Sequence, residues 1–343
     1  MLPGQLLGER YRLESEAGSG GMGTVWRALD TRIERTVAIK ILHSHLASDD
    51  QLRMRFAREA RAVGALQHPG IVQLYDFTET SIDGEPMAYL VMEYVEGHSL
   101  ADLLSPRDNL PVAQTMELVA AAAMGLQAAH DQGIIHRDVK PGNILVGADA
   151  VKIVDFGISQ SHGDIKLTST GHFMGSLHYV SPEQLQGETL TPISDVYSLG
   201  VVAYEALTGT RPFAGDTPAS ILTGHLHHAP TPLPTDIPAP VAAVVMRALD
   251  KDPSKRYPSA AAFAAACREV GADTDATVIS AIPVPDPAES ATTPPTTMEP
   301  AATAGARPRR QFVVVAAIVL AVVLAAGAGA AMWINGGAGA QGN

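Results

Sequence analysis

Cysteine is almost absent from this chain: its 343 residues hold one, Cys267. A single thiol excludes an internal disulfide framework, and its Ala-rich, helix-like surroundings suit a buried, inert side chain. Basic residues are also scarce. Lys and Arg number 24 against 36 Asp and Glu, a formal net charge of −12. That balance argues against nucleic acid as a partner, because a phosphate backbone demands cations. Residues 271–343 contribute Asp273, Asp275, Asp286, Glu289 and Glu299 against Arg307, Arg309 and Arg310, so most of the acidity belongs to the first 270 residues. No basic-then-apolar stretch opens the chain, and no signal peptide is expected. The length leaves room for one large domain or two, with ample core.

What the chain does have is concentrated between His136 and Gly157. The run His136-Arg137-Asp138-Val139-Lys140-Pro141-Gly142-Asn143 is followed by Ile144-Leu145-Val146, a turn around Gly147, then Val151-Lys152-Ile153-Val154 and Asp155-Phe156-Gly157. Two β-branched runs split by a Gly/Asp turn read as a short hairpin. It would hold Asp138, Asn143 and Asp155 near one another. A carboxylate and an amide oxygen suit a hard cation that takes its other ligands from phosphates. A separate Asp beside a Lys suits proton acceptance from a hydroxyl while the ammonium steadies a phosphate.

Upstream, Tyr11-Arg12-Leu13 starts a strand that enters Gly18-Ser19-Gly20-Gly21-Met22-Gly23. Thr24-Val25-Trp26-Arg27-Ala28 follows and is β-like, so the glycines sit in a strand–turn–strand lid. A dinucleotide fold would place a helix there. Val37 to Leu42 alternates: Val37, Ile39 and Ile41 share one face, Ala38, Lys40 and Leu42 the other. The next helix starts near Ser48 or Asp49 and carries an inner stripe of Leu52, Phe56, Val63 and Leu66, with Glu59 among them. A carboxylate on an apolar face requires a partner. A further strand at 71–75, a polar turn at about 78–86 and the strand 90–95 complete this half.

Taken together and in this order, the motifs resemble those of eukaryotic-type protein kinases, and the layout resembles bacterial eukaryotic-like (Hanks-type) transmembrane serine/threonine kinases such as the actinobacterial Pkn group. The resemblance covers about residues 8–270. It implies an α+β, two-lobed fold, with a β-rich N-lobe with one helix at about 8–92 and a mostly helical C-lobe at about 97–270. It implies ATP with Mg²⁺ (or Mn²⁺) as cofactor and Ser/Thr-bearing proteins as substrates. Asp138 and Lys140 become the catalytic pair, and Asn143 and Asp155 the metal ligands. The nucleotide would be held by Gly18, Ser19, Gly20, Gly21, Met22, Gly23, Val25, Ala38, Lys40, Glu59, Met92, Glu93, Val95, Asn143, Leu145 and Asp155. Backbone groups of Glu93 and Val95 would bond the base, and Glu59 would pair with Lys40. Gly175 to Glu183 resembles the substrate-binding end of an activation segment. Ser181 stands there where Ala is common and Ser176 where Thr is usual, and Ser176 keeps the hydroxyl that would bridge Asp138 and Lys140. Thr168 and Thr170 are expected autophosphorylation sites, with Arg137 as the cation that receives the phosphate. Asp195 is expected to hold the catalytic-loop backbone, and Arg256 to pair with Glu183. Two other readings keep the fold: a nucleotide-binding scaffold without activity, and a small-molecule kinase. Lys40, Asp138, Asn143 and Asp155 weigh against the first, and the Ser181-Pro182-Glu183 platform against the second.

Residues 271–311 are rich in Ala, Pro and Thr, a composition that buries little and reads as a disordered linker. Residues 312–334 carry no charge and would reach about 34 Å as a helix, enough to span a bilayer. The arginines before this run put the kinase on the cytoplasmic side of a cell membrane, crossed once. Only 335–343 would lie outside. Homodimerisation is expected by analogy with the family. Replacing Glu59 with Gln is expected to slow phosphoryl transfer at saturating nucleotide; an unchanged rate would show that the Lys40–Glu59 pair is not needed.

Overall fold

Alternating β-branched and aromatic residues through the first ninety positions build strands that bury one face or both. The computed structural model describes residues 1–20, 23–43, 50–82, 85–104, 109–156, 176–213, 215 and 217–272, with Asp50, Gln51, Leu52, Arg55, Glu59, Ile82 and Glu85 described by backbone alone. Gly21, Met22, Gly157, Thr168, Thr170, the linker from 273 on, the 312–334 run and the Glu59 side chain therefore lie outside the described residues.

Among the described residues, β1 (Leu6–Leu7), β2 (Tyr11–Gly20), β3 (Gly23–Asp30), β4 (Arg35–Leu42), β5 (Leu74–Ile82) and β6 (Glu85–Glu93) form one antiparallel sheet in the order β1-β2-β3-β4-β6-β5. The β3–β4 approach is so close at Gly23 that a Cβ there would collide with the Ile41 carbonyl. Val37, Ile39 and Ile41 pack with Trp26, Tyr89 and Val91 on one side of the sheet. Leu42 and Leu90 pack with Phe56 of helix α1 (Asp50–Gly64) on the other. Phe56 lies 5.7 Å from the Phe77 ring. Val63 and Leu66 turn instead toward the larger core below, and Leu66 falls beyond the end of the helix.

Three expected boundaries move, and the strand placed at 90–95 is β6, Glu85–Glu93. The strand placed at 71–75 begins at Leu74; Ile71 forms an isolated parallel bridge to Ile153. The polar turn placed at 78–86 is mostly strand, since β5 runs to Ile82 and β6 starts at Glu85. Polar side chains are tolerated there because β5 is an edge strand.

The second lobe is mostly helical. After β7 (Gly97–Ser99) and α2 (Leu100–Leu103) comes α3 (Val112–His130), entered through Pro111. The hairpin read from sequence is β8 (Ile144–Gly147) with β9 (Val151–Ile153), and β7 adds a third strand to it. Then follow α4 (Pro182–Leu185), α5 (Pro192–Thr208), α6 (Pro218–His227), α7 (Ala239–Ala248) and α8 (Ala260–Ala272). Helix α5 is apolar nearly all round and is buried along almost its whole length, the arrangement of a central helix. It stops at Gly209, whose φ of 67° a Cβ would oppose. Cys267 is fully buried in α8, and burial pushes its thiol up to about 12. The two-lobed α+β architecture expected from the sequence is thus present.

Arg256 fastens this lobe. Its Nη1 and Nη2 donate to Glu183 Oε1 and Oε2 at 2.8 and 2.9 Å, its Nε donates to the Asp250 carbonyl, and its guanidinium lies 4.8 Å from the Tyr197 ring centroid. Burial pushes the Glu183 carboxyl up, but the two Arg256 hydrogen bonds hold it below the usual range. The pair's contribution is therefore full above the unfolded carboxyl's pKa of roughly 4.3 and is lost as pH falls below it. Arg256→Ala leaves a buried carboxylate unpaired, and urea unfolding at neutral pH is expected to show a loss of about 3–5 kcal/mol.

Candidate active site

The loop between α3 and β8 is held from beneath by Asp195, in the first turn of α5. Its Oδ2 accepts from the His136 backbone N–H at 2.8 Å and from His130 Nε2 at 2.7 Å, and its Oδ1 accepts from the Arg137 N–H at 2.9 Å. Asp195 was expected to hold this backbone; His130 was not foreseen. The available signal was a histidine in the last turn of α3, close to the helix C-terminus. His136 is fully buried, hydrogen-bonds the Val154 carbonyl at 2.9 Å and lies 4.7 Å from the Phe156 ring. It packs the loop against the segment that carries Asp155.

Arg137 has φ 68° and Asp155 φ 57°. Left-handed non-glycine residues cost about 1–3 kcal/mol each and persist where their surroundings fix them. Here they flank the polar cluster. Lys140 Nζ donates to Asp138 Oδ2 at 2.7 Å and to Ser176 Oγ at 2.9 Å. Asn143 Nδ2 donates to the Asp138 carbonyl at 2.8 Å and to its Oδ2 at 3.1 Å. With the amide nitrogen so used, Asn143 Oδ1 is the atom left for a cation.

From the other lobe, Lys40 Nζ donates to Asp155 Oδ2 at 2.6 Å across 115 residues of sequence. The lysine is nearly buried, while a third of the Asp155 side chain is exposed. Burial pushes the Asp155 carboxyl up; the Lys40 ammonium, with smaller contributions from His136 and Lys140, pulls it below the usual carboxylate range. A carboxylate kept ionised and open on one side fits a divalent cation. An ion held by Asn143 and Asp155 would complete its shell with phosphate and water oxygens.

Other residues expected to meet the nucleotide lie on β3, β4, β6 and β8. Val25 lies opposite Lys40 on β3, and Ala38 opposite Met92 on β6. Leu145 is half-buried, facing away from Ile144 and Val146, which enter the large core. A Cβ at Gly18 or Gly20 would meet nothing within 4 Å, so packing against the described residues does not require glycine there. The Glu93 N–H donates to the Gln73 carbonyl at 2.9 Å. Its side chain is paired with Lys152 at 2.8 Å, a contact the sequence did not suggest. Glu59 lies on α1, and its side chain is outside the described residues.

A family model described as protein kinase domain matches residues 11–266. The chain belongs to this family. Serine/threonine-protein kinase PknA of Mycobacterium tuberculosis is 42% identical over 307 residues, 89% of this chain and 71% of that protein. Serine/threonine-protein kinase PknB of Mycobacterium leprae is 44% identical over 261 residues, 74% of this chain and 42% of that protein. Among solved structures, the PknI kinase domain of M. tuberculosis matches with TM-score 0.62 and 28% identity, covering 80% of this chain and 99% of that one.

Ser176 closes the Asp138–Lys140 pair from the far side of Lys140. Ser176→Ala removes one of the two acceptors on Lys140 and is expected to lower kcat by about tenfold, a share typical of one lost positioning contact. Ser176→Thr, which keeps the hydroxyl, should stay near wild type in the same steady-state assay.

Proposed function

We propose that this chain is an ATP-dependent serine/threonine protein kinase, anchored to a membrane by residues 312–334, which modifies its own activation segment. One observation carries the reading: Asp138, Lys140, Asn143 and Ser176 form a single hydrogen-bonded network with contacts of 2.7–3.1 Å. The Lys40–Asp155 contact supplies the matching charges from the other lobe.

Asp138 Oδ2 receives Lys140 and Asn143, and Oδ1 is left to orient a substrate hydroxyl and accept its proton as the oxygen attacks the γ-phosphorus, the bond to the β–γ bridging oxygen breaks and ADP leaves. Lys140 sits beside that carboxylate and neutralises charge on the transferring phosphoryl group. Lys40 holds the α- and β-phosphates, with Glu59 as its partner. Asn143 Oδ1 and Asp155 would hold a divalent cation, which would supply neutralisation of phosphate charge. The base lies between Val25, Ala38, Met92 and Leu145 and bonds the Glu93 carbonyl and the Val95 backbone. The lid is Gly18 to Gly23. Most of the rate comes from positioning and charge neutralisation.

The Ser/Thr assignment rests on Lys140 two residues after Asp138 and on the names of the relatives. The anchor reading rests on the uncharged 312–334 run behind three arginines. No helix among the described residues is long and apolar enough to cross a membrane. The match to PknA, at 307 residues, is longer than the kinase domain match. Kinase domain 8–270, linker 271–311, phosphorylation at Thr168 and Thr170 read by Arg137, and homodimerisation complete the proposal.

The test is incubation of the full-length protein with ATP and Mg²⁺ beside Asp138→Asn, read by intact mass. The wild type should gain phosphate that a Ser/Thr phosphatase removes and that maps to Thr168 and Thr170. The variant should be slower by about 10²–10⁴-fold. No mass gain on the wild type or on a generic protein substrate would overturn the reading.

A further inference from the structure

The peptide groups on either side of the Arg137 Cα are gripped at both ends. Its N–H donates to Asp195 Oδ1 at 2.9 Å, and its carbonyl accepts from Gln184 Nε2 at 2.7 Å. Arg137 is left-handed at φ 68° and directly precedes Asp138, so any relaxation there rotates the peptide that leads into Asp138. The two grips have different origins. Asp195 belongs to the buried helix α5. Gln184 is the third residue of α4, in the stretch that resembles the substrate-binding end of the activation segment.

Gln184 uses both ends of its carboxamide. Its Oε1 accepts from the Ser181 N–H and hydroxyl at 3.3 Å each, while the Ser181 hydroxyl accepts from the Gln184 N–H at 3.4 Å. That capping box is served equally by Glu or Gln. The bond to the Arg137 carbonyl is not, because a carboxylate has no hydrogen to give. Ser181 is fully buried, and the neighbouring Glu183 is held by Arg256 at 2.8 and 2.9 Å, so α4 is a firm base for the carboxamide.

We infer that Gln184 is a positioning residue for the catalytic loop, which ties the seating of the substrate-binding segment to the backbone geometry of Asp138. The inference rests on the reading of Asp138 as the catalytic carboxylate. The Ser181 hydroxyl, a departure from the common Ala, then has a purpose: it orients Gln184.

The experiment compares full-length wild type, Gln184→Glu and Gln184→Met by hydrogen–deuterium exchange of the peptide spanning 134–140 and by steady-state kinetics. Gln184→Glu preserves the capping box and gives up one part-buried hydrogen bond, so it should melt within about 4 °C of wild type. Its 134–140 amides should exchange about tenfold faster, as local opening becomes easier. Its kcat should fall about tenfold with the KM for ATP within about twofold, the pattern of a contact that serves the transition state. Gln184→Met, of similar length without polar ends, should show the same faster loop exchange. Exchange at 134–140 equal to wild type in both variants would overturn the inference. So would a kcat unchanged in Gln184→Glu beside an active wild type. A wild type that transfers no phosphate would fail the kinase reading, and the exchange comparison would still decide the grip.

Discussion

A buried carboxylate must be matched by donors, and Asp195 is matched by three: the His130 ring and the backbone N–H groups of His136 and Arg137. The central helix cannot bury its first turn unless those donors arrive, because an unpaired charge there would cost several kcal/mol. The loop in turn cannot hold Arg137 in a left-handed conformation unless something fixes its peptides. Each requirement meets the other, and the geometry of Asp138, Lys140 and Asn143 follows from it.

Charge is arranged in two layers above that base. Asp138 carries Lys140, and Asp155 carries Lys40, so each acid stands beside a cation in the arrangement described. The two pairs come from different parts of the chain. Asp138 and Lys140 share one loop, whereas Lys40 reaches Asp155 from the sheet of the other lobe. The second contact thus reports how the lobes meet, and the first is local. Below both, the Glu183–Arg256 pair secures α4 to the helical lobe and keeps Ser176, Ser181 and Gln184 within reach of the loop.

Much of this was readable from residue types. The two faces of β4, the hairpin that follows Asn143 and the ends of α3 and α5 follow from period, turn residues and caps, which act over a few positions. The partnership of Glu183 with Arg256 was readable through the family resemblance, and the structure contains that bond. The polar stretch at 78–86 misled because side-chain polarity marks solvent exposure, and an exposed edge strand looks like a turn in that respect. That Gln73 takes the Glu93 N–H has no sign in the sequence, because folding alone brings the two segments together.

The sequence by itself determined which chemical groups are available and how they alternate: an Asp and a Lys two apart, a carboxamide five residues after that Asp, a glycine-rich turn between strands, and an uncharged run behind arginines. Those are properties of neighbouring residues and need only local geometry. Tertiary structure decided which partners meet. His130 reaches Asp195 across 65 residues, Gln184 reaches the Arg137 carbonyl across 47, and Lys40 reaches Asp155 across 115. No local pattern encodes such pairs, because hydrogen-bond distance is reached only after the sheet, α3 and α5 have packed, and packing depends on the whole core at once.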